Sequence, residues 1–148
     1  MNQSSCFQNN LVDLSNAPWT MHEFFAGSGL VAYGLKGMFK PIWANDISEQ
    51  KAAVYKENFG DGYFKLDDIK NIDGKNLPFA NLSWASFPCQ DLSLAGSLGG
   101  IHASRSGLVW EWLRVLDEMP NKPKILLLEN VLGLLSTNGG DNYRVLHM

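Results

Sequence analysis

A chain of 148 residues with 45% hydrophobic content is long enough for one domain with a real core and too short for two sizeable ones. Its 12 basic and 15 acidic side chains, a net charge of −3, leave neither half with the basic footprint of a protein that supplies its own phosphate contacts. Cys6 and Cys89 lie in unlike contexts, no zinc spacing or signal-peptide pattern is present, and no apolar run reaches membrane-spanning length, so a soluble cytoplasmic protein without metal is expected.

Residues 1–18 are rich in Asn, Gln and Ser and read as a loosely held leader ending at Pro18, with Leu11, Val12 and Leu14 available to dock. Residues 19–26 predict a strand that feeds the turn Gly27-Ser28-Gly29, and apolar spacing at Leu30, Val31, Gly34, Leu35 and Met38 predicts a helix over 30–38. Strand, Gly-rich turn and helix in that order set backbone N–H groups beside a ligand, and Gly27 lets the backbone come close without a Cβ. Residues 40–45 predict a second strand closed by Asp46, 19 residues after Gly27. An acid at that place in an open α/β sheet takes a ribose hydroxyl pair or starts a helix. Ser48 is an N-cap candidate for a helix over 49–58 that packs through Ala52, Ala53 and Tyr55.

Residues 63–66 predict a short third strand before Asp67-Asp68-Ile69, and 71–76 read as loop. Residues 82–86 predict a fourth strand, apolar enough for a sheet buried on both faces. It runs into Phe87-Pro88-Cys89. Residues 91–106 form a long stretch with little periodicity, expected to be a mobile functional loop. A helix is predicted from 106 to 118 with Leu108, Trp112, Val115, Leu116 and Met119 on its apolar face, ended by Pro120 and Pro123. Residues 124–128 are a continuous apolar strand followed by Glu129-Asn130, and a further helix could begin near Asp141. Five strands alternating with helices predict a doubly wound α/β parallel sheet. Ligands then lie outside the carboxyl ends of the strands, where Gly27, Asp46, Asp68, Cys89 and Glu129 fall.

A cysteine in such a loop can attack, resolve, bind metal or lie inert. Pro88 fixes the approach of the chain, polar Gln90, Asp91 and Ser93 argue against simple core burial, and Glu129 ends the next strand. A dinucleotide-dependent dehydrogenase is a competing reading, but the turn lacks the six-residue glycine spacing because Leu30-Val31-Ala32 follows Gly29.

Phe25-Ala26-Gly27-Ser28-Gly29, Asn45-Asp46, Asp68-Ile69, Phe87-Pro88-Cys89-Gln90 with Ser93, Ser104-Arg105 and Glu129-Asn130-Val131 together resemble the DNA cytosine-5 methyltransferases. The resemblance runs over 21–135 and implies a Rossmann-like fold dependent on S-adenosyl-L-methionine, with S-adenosyl-L-homocysteine as product and the sheet truncated after its fifth strand. It implies Cys89 as the nucleophile on carbon 6 of a flipped cytosine and Glu129 as the group at N3. Arg105 resembles the arginine that supports the active-site loop, and Gln90 and Ser93 the residues that hold it near DNA. For the cofactor it implies Phe25, Gly27, Ser28, Gly29 and Leu30 around the methionine portion and Asp46 at the ribose. Ile47 would pack against the adenine, Asp68 and Ile69 would meet its edge, and Pro88 and Leu108 would complete the pocket. Ser86 and Leu30 stand where the family commonly has glycine. The family continues beyond this chain with an arginine-bearing strand, a hairpin, a target-recognition domain and a returning helix. The expectation is therefore a leader over 1–18 and a partial catalytic domain over 19–148. Double-stranded DNA would be bound by the complete enzyme. A homodimer or a complementary C-terminal subunit would cover the last strand. A catalytically inactive assembly subunit of the same fold is the alternative.

Overall fold

A computed structural model of the chain describes residues 11–88 and 107–132. Five strands, β1 (Trp19–Phe24), β2 (Phe39–Asp46), β3 (Phe64–Leu66), β4 (Leu82–Ala85) and β5 (Ile125–Leu128), form one parallel sheet in the order β3-β2-β1-β4-β5. Three helices cross between them: α1 (Leu30–Leu35), α2 (Glu49–Phe59) and α3 (Leu108–Glu118). The chain winds outward from β1 to β2 and β3, then returns to place β4 on the other side of β1. That reversal opens a crevice at the carboxyl ends of β1 and β4.

The centre of the sheet is buried on both faces, so β1 carries no polar-out alternation, and Met21 through Phe24 are all buried. Period-two geometry still sorts the side chains. Met21 and Leu82 pack with Ala32, Ala44, Tyr55, Phe59 and Phe64 under α1 and α2. Phe24 and Ala85 pack with Val109, Trp112, Val115 and Leu116 of α3. Ser83 faces the same way and accepts the Trp112 indole N–H at 3.0 Å. Pro41 sits inside β2 where the register with β1 slips between Met21 and His22, a bulge being one of the few places where a sheet interior tolerates proline.

The predicted elements are present with shifted ends. The first strand stops at Phe24 because Phe25 and Gly27 take left-handed φ values of 56° and 58° to make the turn. The first helix ends at Leu35, short of Met38, and it buries Ala32 rather than Leu30, which is 80% exposed. A six-residue helix has too few turns for apolar spacing to choose its face. Here the Ala32 N–H is held by Glu23 Oε1 at 3.3 Å. In α2, Ala52, Tyr55 and Phe59 are buried and Ala53 faces out, with Ser48 capping through Lys51 N–H. Val12 and Leu14 of the leader pack on the α1–α2 side, and Val12 N–H donates to Asn58 O at 2.7 Å. The expected loop over 71–76 is instead built around two 3-10 turns, Ile69–Asn71 and Gly74–Asn76, started by Asp68 and Asp73. Cys89, Gln90, Ser93 and Arg105, the long loop around them and the helix expected near Asp141 lie outside the described residues.

Arg114 of α3 fastens these turns. Its guanidinium pairs with Glu111 at 2.8 Å and Glu118 at 2.7 Å and donates to the carbonyls of Ile69, Lys70 and Ile72. Glu118 also accepts the Gly74 N–H at 2.9 Å. A Cβ on Gly74 would lie 2.0 Å from the Val115 carbonyl oxygen, whereas one on Gly62 would meet nothing within 4 Å. Gly74→Ala is therefore expected to lower unfolding stability by about 1–3 kcal/mol, with Gly62→Ala within about 0.5 kcal/mol of the parent. Urea denaturation of the two variants side by side checks this, and equal midpoints would refute the close approach of turn and helix.

Candidate functional site

The site is built on the last two residues of β2. Asn45 and Asp46 are both buried. Asn45 O accepts the Ala26 N–H at 2.9 Å, and Asp46 Oδ2 accepts the Gly27 N–H at 2.8 Å, which ties β2 to the turn after β1. Asp46 Oδ1 accepts the Ser48 N–H at 2.9 Å at the entry to α2. Asn45 Nδ2 donates to Lys65 O at 2.9 Å and Asp67 O at 2.8 Å, and the Asp67 N–H returns to Asp46 O at 3.2 Å. One dipeptide thus positions the turn, the helix start and the segment carrying Asp68. A carboxylate has about four acceptor positions, so Asp46 keeps lone pairs for a ligand after binding two N–H groups.

Two cavities lie beside this hub and share Phe25, Lys51 and Ser86. The larger, about 570 Å³, is lined by Phe25, Asp46, Ile47, Asp68, Ile69, Ser86, Pro88 and Leu108 among others. The smaller, about 330 Å³, is lined by Phe25, Gly27, Ser28, Leu30, Glu23, Ser86 and Glu129 among others. Lys51 lines both. Ile47 is 68% exposed at the larger cavity, an apolar wall with one face free. Gly29 lines neither. A Cβ there would meet Phe59 at 2.5 Å and Tyr55 at 3.0 Å, so this glycine admits the α2 rings beneath the turn.

At the far side of the crevice, Glu129 N–H donates to Ala85 O at 2.9 Å, and Asn130 Nδ2 donates to Phe87 O at 3.2 Å. The segments leaving β4 and β5 are therefore held together up to Pro88. The Trp84 indole N–H donates to Ser86 Oγ at 2.7 Å, which anchors that hydroxyl.

A C-5 cytosine-specific DNA methylase family model matches residues 19–147. The chain belongs to that family. The type II methyltransferase M.Bsp6I of Bacillus sp. (strain RFL6) is 33% identical over 126 residues, covering 83% of this chain and 39% of that protein. M.PspPI of Psychrobacter sp. (strain TA137) is 36% identical over 124 residues, covering 82% and 29%. The S. pombe Dnmt2 methyltransferase structure superposes with a TM-score of 0.65 at 25% identity, covering 86% of this chain and 38% of that one. The Rossmann-like methyltransferase fold is thereby shown, and the chain spans well under half the length of these relatives. Family membership sets the dehydrogenase reading aside. Among the described residues no cluster of His, Cys, Asp and Glu can hold a metal ion, and no helix is long and apolar enough to cross a membrane.

Of the expected cofactor residues, the larger cavity gathers Phe25, Asp46, Ile47, Asp68, Ile69, Pro88 and Leu108, and the smaller one gathers Phe25, Gly27, Ser28 and Leu30. Sequence reasoning named Asn45 within the Asn45-Asp46 motif without giving it a role, and it missed Lys51 and Glu23. An acid inside a strand buried on both faces was the available signal for Glu23. Its carboxylate accepts from Tyr55 Oη at 3.0 Å as well as from Ala32 N–H, and it makes no ion pair among the described residues. Burial pushes its pKa up to about 7, against the pull of those two donors.

A carboxyl whose folded pKa lies above its unfolded value of 4.5 favours folding most below that value, and the benefit is lost as pH rises through about 7. The shift corresponds to about 3 kcal/mol. Glu23→Gln keeps an acceptor for Ala32 and places an amide against Tyr55 Oη. The stability difference between parent and Glu23→Gln is expected to move by up to about 3 kcal/mol in favour of the variant between pH 5 and pH 8. Denaturant midpoints across that range measure it. His22, whose neutral form burial favours, is common to both proteins and drops out of the difference. Parallel curves would show that Glu23 is ionised throughout.

Proposed function

We propose that this chain is the cofactor-binding and nucleophile portion of a DNA cytosine-5 methyltransferase. The observation that carries the reading is the two-lobed crevice hung on Asn45 and Asp46 in a chain of this family. A larger lobe of about 570 Å³ is within the usual range for a small-molecule site. Asp46 has free lone pairs at its edge for ribose hydroxyls, Ile47 offers an open apolar face to adenine, and Asp68 with Ile69 meets the adenine edge. The turn from Phe25 through Gly27, Ser28, Gly29 and Leu30 shapes the methionine end, while Pro88 and Leu108 close the wall. S-Adenosylmethionine, when bound, supplies the methyl group that carbon 5 receives and is left as S-adenosylhomocysteine.

The protein's own part is nucleophilic and electrostatic. The Cys89 thiolate adds to carbon 6 of a cytosine turned out of the duplex, and the electron pair displaced toward carbon 5 makes that atom reactive. Glu129 holds a proton at N3 so that the ring does not carry the full negative charge. Loss of the carbon 5 proton then expels Cys89 and restores the ring. Gln90, Ser93 and Arg105 hold the loop that presents the thiolate. What supports pairing Cys89 with Glu129 is the hydrogen bonding of the Glu129 and Asn130 segment to Ala85 and Phe87, two to four residues before the cysteine.

Duplex DNA is the substrate of the complete enzyme, and with a net charge of −3 most phosphate contacts come from elsewhere in it. The β5 edge is the favoured docking line for that remainder, since Ile125, Leu126 and Leu127 are exposed there and open apolar edges demand a cover. The cover is a further strand of the catalytic domain or a second polypeptide. The same edge is what favours the alternative of an assembly subunit without activity of its own.

Calorimetric titration of the 148-residue chain with S-adenosylhomocysteine tests the cofactor reading. Binding is expected, weakened at least about tenfold in Asp46→Ala and less in Asp46→Asn, which keeps one acceptor. No binding by a folded chain would refute it. Sedimentation of the parent and Leu126→Lys tests the edge. A self-associated parent that the lysine disperses identifies a second copy as the cover, and two identical monomers point to a separate C-terminal portion.

A further inference from the structure

We propose that Lys51 is a cofactor-anchoring residue whose ammonium pairs with the single carboxylate of the bound S-adenosyl compound, an inference that rests on the cofactor reading above. Lys51 lines both lobes of the crevice. Its Cδ lies 4.0 Å from the place a Gly27 Cβ would occupy, so the stem runs across the turn where the lobes join.

The position is an unexpected one for a lysine. Lys51 is the third residue of α2, and its N–H is the one capped by Ser48 Oγ. The positive end of a helix favours acids in the first turn, and the residue capped by serine is commonly Glu or Gln. A lysine there works against the helix. It also makes no ion pair among the described residues, where the four salt bridges involve other side chains. A cation that opposes its own helix and lines both lobes without an ion pair among the described residues has its partner in the ligand.

Charge around the lobes identifies which ligand group that is. Asp46, Asp67 and Asp68 line the larger lobe, and Glu23 and Glu129 the smaller. These acids suit the ligand's hydroxyl, amino and sulfonium groups. The ligand's carboxylate needs a cation. Lys70 lies with Asp67 and Asp68 on the larger lobe, whereas Lys51 reaches the smaller lobe beside Gly27 and Ser28. An ammonium–carboxylate contact of this kind is among the stronger hydrogen bonds.

The test compares two probes on the full chain by calorimetry. S-Adenosylhomocysteine carries the amino-acid end, and 5′-methylthioadenosine has the same nucleoside and thioether without it. Lys51→Met is expected to weaken S-adenosylhomocysteine about tenfold while leaving methylthioadenosine within roughly twofold, with Lys51→Arg close to the parent for both. Added salt narrows the gap between parent and Lys51→Met. Thermal melting of Lys51→Met at or above the parent separates this loss from unfolding. An unchanged S-adenosylhomocysteine affinity, or an equal loss for both probes, overturns the assignment of Lys51 while leaving the cofactor reading intact. A parent that binds neither probe overturns both.

Discussion

The crevice depends on the clasp that Asn45 and Asp46 make at the end of β2. Without it the turn after β1, the start of α2 and the segment after β3 would be three independent loops, each free to lose its geometry. Four backbone N–H groups, from Ala26, Gly27, Ser48 and Asp67, end on this dipeptide, and the Asn45 amide reaches the carbonyls of Lys65 in β3 and Asp67 just after it. Buried polar groups of this sort contribute little when satisfied and cost a great deal when orphaned. The clasp therefore fixes one arrangement of the surrounding loops more than it adds net stability.

The second support comes from the other face. Arg114 and Glu118 grip the 3-10 turns that follow Asp68, and Gly74 lets the turn lie against the α3 backbone. The pocket wall bearing Asp68 and Ile69 is thus held at one end by a strand-end amide and at the other by a guanidinium. Binding sites made on loops gain their accuracy from such rigid neighbours. The turn is held likewise, since Gly29 rests on Tyr55 and Phe59 while Tyr55 reaches Glu23. Phe25, at φ 56° between the two cavities, holds the strain of that tight exit from β1.

All five strands were legible because each is a short apolar run ending in a turn signal or an acid, and in a doubly wound sheet those ends define the crevice. Ser48 and Asp46 could be read for the same reason, as small polar residues just before a periodic segment. The face of α1 could not be read. Six residues carry too little periodicity, and a buried acid, Glu23, decides which side turns inward. Asn45 stood in a motif, but its clasping role was hidden because its partners, Lys65 and Asp67, are backbone carbonyls about twenty residues away, and no local pattern encodes such a contact. Lys51 was legible in principle as a misplaced charge in a first helical turn. It was read only as part of a helix.

The architecture divides the chemistry along the sheet. The two lobes hang on β1, β2 and β4, with α2 and the α3-gripped turns around them, and all these elements are buried on one or both faces. Glu129 stands at the end of β5, an edge strand whose Ile125, Leu126 and Leu127 are exposed. A strand of four residues, paired on one side only among the described residues, opens more readily than the centre of a sheet because fewer contacts hold it. The position of a carboxylate at its tip is then set largely by whatever lies on its free side. On the proposed function, most cofactor contacts would come from the packed centre of the sheet, and the β5 edge brings Glu129 to the rim of the smaller lobe.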